Sequence, residues 1–135
     1  EVYDQFKNSQ NIKLNDILFV NDGTFLIGRT AMVTKQDIKI VIQSHVKKFR
    51  VENTKKLNPF YLFYLLNSKI VRKQILSKTF VQATISTIGN RIKEVILPIS
   101  KNKNEILKIT KEIQKIINEK SKLREKTVKI IEDSV

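Results

Sequence analysis

From Lys101 to Val135 the chain holds no glycine, proline or aromatic residue, and it carries ten basic and six acidic side chains. Stepping three and then four residues along it gives Ile106, Ile109, Ile113, Ile116, Lys120, Leu123, Thr127 and Ile130. That is an a/d heptad seam, and with no helix breaker in the way it predicts one helix of about 30 residues. A single amphipathic helix cannot bury such a seam alone. It needs another element, and a regular seam favours an intermolecular or interdomain coiled coil. The expected interface is Ile106, Ile109, Ile113, Ile116, Leu123 and Ile130, with polar Lys120 and Thr127 at two a positions. The alternative is that the helix folds back over its own chain. Glu112/Lys115, Glu119/Lys122 and Glu125/Lys129 are spaced to pair along its flanks.

Residues 1–100 read differently, and the composition shift divides the chain into a 1–100 domain and a 101–135 helix. Asp16–Val20 is a short apolar run, and Asn21-Asp22-Gly23 is a turn signal. The run after it is broken by Gly28, which suggests a bulge or a second tight turn. Ile38–Val51 alternates in places and predicts a half-buried strand with a basic face. The period then changes. Asn58 suits a helix cap, Pro59 a first helical position and the residues after them a buried helix. Ser68 caps a second short helix, with Ile70, Val71 and Ile75 inward and Arg72 and Lys73 outward. Beyond it the pattern predicts a polar loop, a Ser86-capped turn closing near Gly89-Asn90, and a strand from Arg91 to Ile99. The expected fold class is α/β, of the α+β kind: strands, loops and short helices followed by one long C-terminal coiled-coil helix.

The tetrapeptide Asn58-Pro59-Phe60-Tyr61 resembles the active-site motif of adenine-specific methyltransferases. Such an enzyme also needs a glycine-rich turn after a first strand, followed by an acidic residue for the ribose. The chain has three glycines, Gly23, Gly28 and Gly89, and none sits in that context. Helix initiation explains Asn58 and Pro59, and packing explains Phe60 and Tyr61. No catalytic residue and no cofactor is therefore expected.

Charge narrows the partner. Lys and Arg number 26 against 13 acids, for a formal net charge of +13. Such an excess fits a polyanion. The longest apolar run, Pro59–Leu66, is too short for a membrane span. With no cysteine and His45 the one histidine, disulfides, thiolate metal sites and histidine clusters are excluded. A cytoplasmic location is expected.

In order along the chain, Asn15–Thr34, Ile42–Val51, Leu57–Ser68 and Gln82–Ile99, followed by the long helix, resemble the specificity subunits of type I restriction–modification systems. Their target recognition domains also occur fused to single-chain adenine methyltransferase–nucleases. The resemblance covers most of the chain. It implies an α/β module that inserts loops into the DNA major groove, and a spacer helix that docks methyltransferase subunits and, through them, a restriction subunit. It also implies that the Asn-Pro stretch starts a helix. A whole specificity subunit carries two domains and two helices, so one of each implies a half-subunit or part of a longer protein. Such a half can homodimerise through the helix about a two-fold axis. An adenine methyltransferase fragment using Asn58 and Tyr61, and a structural coiled-coil protein, are the alternatives.

Base readout needs paired donors and acceptors on loops or helix ends that fit a groove. Asn21, Asp22 and Thr24 form one candidate loop, or a plain hairpin turn. Arg29 suits a guanine edge or a phosphate, or stands as a solvated charge. Gln43, Ser44 and His45 form a polar patch that is either DNA-facing or a buried trio. Lys78, Thr79, Gln82 and Thr84 lie in the loop with most side chains to spare. Lys47, Lys48, Arg50, Arg72, Lys73 and Arg91 are the expected phosphate neighbours.

Overall fold

In the run from Ile17 to Val20, Ile17 and Phe19 are fully buried while Leu18 and Val20 are partly covered, the two-residue period of a strand with one face inward. The computed structural model describes residues 1–23, 26–82 and 85–134, the side chains of 81, 82 and 85 aside. Its elements are α1 (Val2–Gln10), β1 (Ile17–Val20), β2 (Asp22–Gly23), β3 (Thr30–Met32), β4 (Val46–Phe49), α2 (Pro59–Leu66), α3 (Lys69–Lys78), β5 (Phe80–Gln82), β6 (Ile85–Thr87) and α4 (Lys103–Asp133), a mixed α+β fold. They form two antiparallel three-stranded sheets, ordered β3-β1-β4 and β2-β6-β5. In the first, Ile17 lies opposite Met32 on one side and Phe49 on the other. Phe19 meets Phe49 on the diagonal, ring centroids 5.3 Å apart. The core grows from this layer to Phe60, Leu62 and Leu66 of α2 and Val71 and Ile75 of α3.

The caps behave as expected. Asn58 Oδ1 accepts the Phe60 N–H at 2.8 Å, and Pro59 follows it. A cap of this kind contributes about 1 kcal/mol. Ser68 Oγ accepts the Val71 N–H at 3.4 Å. Val71 and Ile75 share the inward face of α3, but Ile70, expected with them, is 60% exposed because it sits one residue off that face.

Four expectations are corrected. Asp22 and Gly23 are extended as β2 and pair with Thr87 and Ser86, so the chain does not turn there. It turns at Gly28, φ +85°, where the Gly28 N–H bonds to Val20 O and the Arg29 N–H to Leu26 O. A β-carbon on Gly28 would lie 3.3 Å from Ile75 Cγ2. Second, the strand expected over Ile38–Val51 is confined to β4. Residues before it are turns and irregular chain, in which the Gln10 amide clasps both the N–H and C=O of Ile42, at 2.9 and 2.8 Å. Third, Lys78–Gln82 is no loose loop: α3 runs into β5, which pairs with β6, and Ser86 lies in β6 rather than capping a turn. Fourth, Gly89–Glu94 forms a 3-10 turn in place of the expected strand, and the Gln74 amide clasps Ile96 as a neighbouring strand would. α1, which no sequence signal predicted, has no buried residue. Its last carbonyls are held instead by Lys48 Nζ on Gln10 O (2.6 Å) and Arg50 Nη2 on Asn11 O (2.5 Å).

α4 begins where Asn102 Oδ1 accepts the N–H groups of Asn104 and Glu105. Its first half packs on α2, with Ile106, Ile109, Thr110, Ile113, Ile117 and Ser121 partly or fully buried and Ile113 and Ile117 reaching the core. A straight helix repeats every 3.6 residues, so this face drifts away from the 3.5-residue seam. The expected interface is thereby divided. Ile106, Ile109 and Ile113 turn toward their own chain, while Ile116, Leu123 and Ile130 remain exposed. None of the three expected pairs along the helix forms among the described residues. Glu125 pairs instead with Lys35 (2.9 Å) and Arg124 with Asp37 (2.6 Å), tying mid-α4 to a 3-10 turn at Lys35–Asp37.

Candidate nucleic-acid interface

β2 and β6 run antiparallel, with Gly23 opposite Ser86, and β5 meets β6 at Gln82 opposite Ile85. The connections after Gly23 and after Gln82 therefore leave the second sheet at the same end. Thr24 and Thr84, the readout candidates on those connections, lie outside the described residues, as does the side chain of Gln82.

Along the β2 edge, groups distant in sequence converge. Asn21 crosses from one sheet to the other: its N–H bonds to His45 O (2.7 Å), and its C=O accepts the Ile88 N–H (3.1 Å). Asn21 is 6% exposed, with Nδ2 3.5 Å from Thr87 Oγ1 and Oδ1 without a hydrogen-bond partner among the described residues. It is thus a joint of the fold and presents no side chain to a groove. Gln43 and His45 are exposed and Asp22 is partly exposed. The exposed His45 ring lies with Nε2 2.7 Å from Gln43 Oε1 and Nδ1 3.5 Å from Asp22 Oδ1. Gln43, Ser44 and His45 are exposed and so are not a buried trio, and they lie in the turn before β4 rather than within a strand.

Cations are spread around the two sheets. Lys47 reaches from β4 to Gly89 O at 2.9 Å, and Arg91 links Glu94 (3.0 Å) to Lys78 O (3.3 Å) at the far edge of the same sheet. Thr79 has spent its hydroxyl proton on Ile75 O (2.7 Å), a helix-end bond. Arg29 is exposed at the Gly28 turn. Lys48 and Arg50, expected beside phosphate, serve α1 and Asp16 instead. Arg72 Nη1 lies 3.4 Å from Gly28 O, and Lys73 is exposed.

Sequence reasoning missed Asp16. This carboxylate, 1% exposed, takes Arg50 Nε and Nη2 at 2.7 Å each and the Lys13 N–H at 2.8 Å. Burial opposes its ionisation. The Arg50 and Lys13 hydrogen bonds, with the charges of Arg50 and Lys48, outweigh that and hold the carboxyl below its ordinary range. Asp37 is held low in the same way, burial being outweighed by the Thr34 hydroxyl and N–H and by Arg124. An aspartate directly before an apolar strand, with an arginine at the end of another, was the available signal.

The four residues of the methyltransferase-like motif are committed to structure. Asn58 caps α2, Pro59 and Phe60 are buried, and the buried Tyr61 accepts the Ser100 N–H on its hydroxyl at 3.2 Å. Among the described residues no helix is long and apolar enough to cross a membrane. Comparison with family models, curated proteins and solved structures finds no match to this chain.

Proposed function

We propose that the chain is a non-catalytic DNA target-recognition module of a restriction–modification enzyme, as its resemblance to type I specificity subunits implies. The observation that carries this reading is the convergence of Asp22, Gln43 and His45 beside the sheet end from which two connections leave, on a chain of net charge +13. Those three side chains offer donors and acceptors of the kind that read base edges, while Lys47, Lys78, Arg29 and Arg91 suit phosphates on either side. α4 is the docking element for a methyltransferase subunit and, through it, a restriction subunit. A partner of this kind makes the protein cytoplasmic and leaves S-adenosylmethionine to the methyltransferase.

Selection from a random duplex pool with the assembled enzyme gives the target. On that target, His45→Ala is expected to cost about 1–3 kcal/mol of binding while leaving random duplex nearly unaffected. Equal losses on both DNAs remove His45 from readout. Saturable binding of S-adenosylmethionine by this chain contradicts the non-catalytic reading.

Ile116, Leu123 and Ile130, seven residues apart and exposed, are the part of the seam left for a second copy in an antiparallel two-fold pair. Leu123→Asp with Ile130→Asp is expected to convert a dimer into a folded monomer, measured by light scattering. A wild-type chain that is monomeric at high concentration rules the pair out and leaves this face to another subunit.

A further inference from the structure

Lys108, Lys115, Lys122 and Lys129 recur along α4 at intervals of seven residues, just under two turns, so they form one row. Lys111 and Lys126 stand beside that row. All six are exposed, and none takes part in an ion pair among the described residues. The row lies opposite the face of Thr110, Ile113 and Ile117 that packs on the domain, so the docking of α4 is what turns it outward. Glu112 and Glu119 sit at its edge; no apolar residue interrupts it.

Two i,i+4 neighbours in this strip, Lys111/Lys115 and Lys122/Lys126, are like-charged and weaken the helix. Lys108/Glu112, Lys115/Glu119 and Lys129/Asp133 are oppositely charged at the same spacing and offset part of this, while Glu125 pairs with Lys35 and Asp37 with Arg124 on the domain side. The strip keeps a net positive charge that no group of the domain neutralises among the described residues, and a polyanion would neutralise it. From Lys108 to Lys129 the strip is about 32 Å long at 1.5 Å per residue, close to the roughly 34 Å of one duplex turn. Without aromatic groups it has no means of stacking single-stranded bases. The row itself holds no apolar group to insert into a bilayer, and the exposed Ile116, Leu123 and Ile130 lie to one side of it.

We propose that this lysine row is a second, sequence-independent contact for duplex DNA, holding the phosphate backbone alongside the target read by the domain. The choice of duplex DNA as the polyanion rests on the recognition-module reading. The row adds affinity and salt dependence without altering which sequence is preferred, because phosphates are the same at every site.

The test uses the full chain and its variant Lys108→Gln, Lys115→Gln, Lys122→Gln, Lys129→Gln. Glutamine keeps helix propensity close to that of lysine, and circular dichroism with thermal melting verifies the fold. Fluorescence anisotropy with a random duplex is followed across salt concentrations. The slope of log K against log salt is expected to become shallower by up to about 3.6, at about 0.9 for each of the four phosphates no longer neutralised, with the preference for target over random duplex unchanged. A variant that keeps the wild-type slope overturns the proposal while leaving the module reading intact. Wild type that fails to bind any duplex overturns both. Lysine-dependent binding to phosphatidylserine vesicles, with the duplex slope unaltered, overturns the DNA contact in favour of a membrane surface.

Discussion

Replacing Asp16 with alanine is expected to lower the unfolding free energy by about 2 kcal/mol, the scale for losing charge-assisted hydrogen bonds to a buried carboxylate; the Arg50 side chain, partly exposed, can turn to water. The carboxylate is 1% exposed and takes three hydrogen bonds, two of them from the Arg50 guanidinium. Alanine leaves Arg50 facing only Asn11 O and Glu52, and frees the Lys13 N–H. Because Arg50 also secures the end of α1, that helix is expected to loosen with the core. The effect has a pH signature. Burial works against ionisation of Asp16, but its hydrogen bonds and neighbouring cations depress the folded-state value below the ordinary one of about 3.9. A depressed carboxylate contributes its stability above the unfolded-state value and loses it as pH falls through the folded one. Urea titrations should therefore show the full gap between wild type and variant at pH 7 and a narrowing gap below pH 4. Equal midpoints at pH 7 would show that the pair contributes nothing.

Phe19→Ala is expected to cost about 4 kcal/mol, from the transfer energy of the missing ring and the cavity left behind. Phe19 is 0% exposed on the central strand of its sheet, stacked at a tilt on Phe49. Its strand is flanked on both sides, so the surrounding chain has little freedom to collapse into the space. Since β1 leads through Asn21 into β2, the damage extends to the Asp22–His45 patch, and the proposed DNA binding should fall with the folded fraction. Phe19→Leu, which refills part of the volume, should cost less. A shift in the denaturation midpoint after Phe19→Ala no larger than that of a surface variant such as Lys73→Ala would contradict this account of the core.

Features that depend on near neighbours were legible in the residues. Asn58-Pro59 and Ser68 start helices because a cap acts over two or three residues. β1 showed itself as a short apolar run, and the length of α4 by its lack of breakers. The polar patch of Gln43 and His45 was legible as composition, but not as a turn. What the sequence could not decide was pairing across distance. Asn21-Asp22-Gly23 has the residues of a turn and becomes a strand because Thr87, 66 residues from Asn21, supplies its partner chain. Arg91–Ile99 has the residues of a strand and finds no strand to pair with, so side-chain amides and a 3-10 turn satisfy its backbone. Lys48 and Arg50 are indistinguishable in sequence from phosphate ligands until α1 brings its last carbonyls to them. The seam of α4 is the clearest case. Its heptad spacing was set by the residues, but which side faces the domain depended on α2, whose apolar surface selects a 3.6-residue face and leaves Ile116, Leu123 and Ile130 outward. Local propensity is a property of the residues themselves, whereas a partner for a backbone edge or an apolar stripe exists only once distant segments have met.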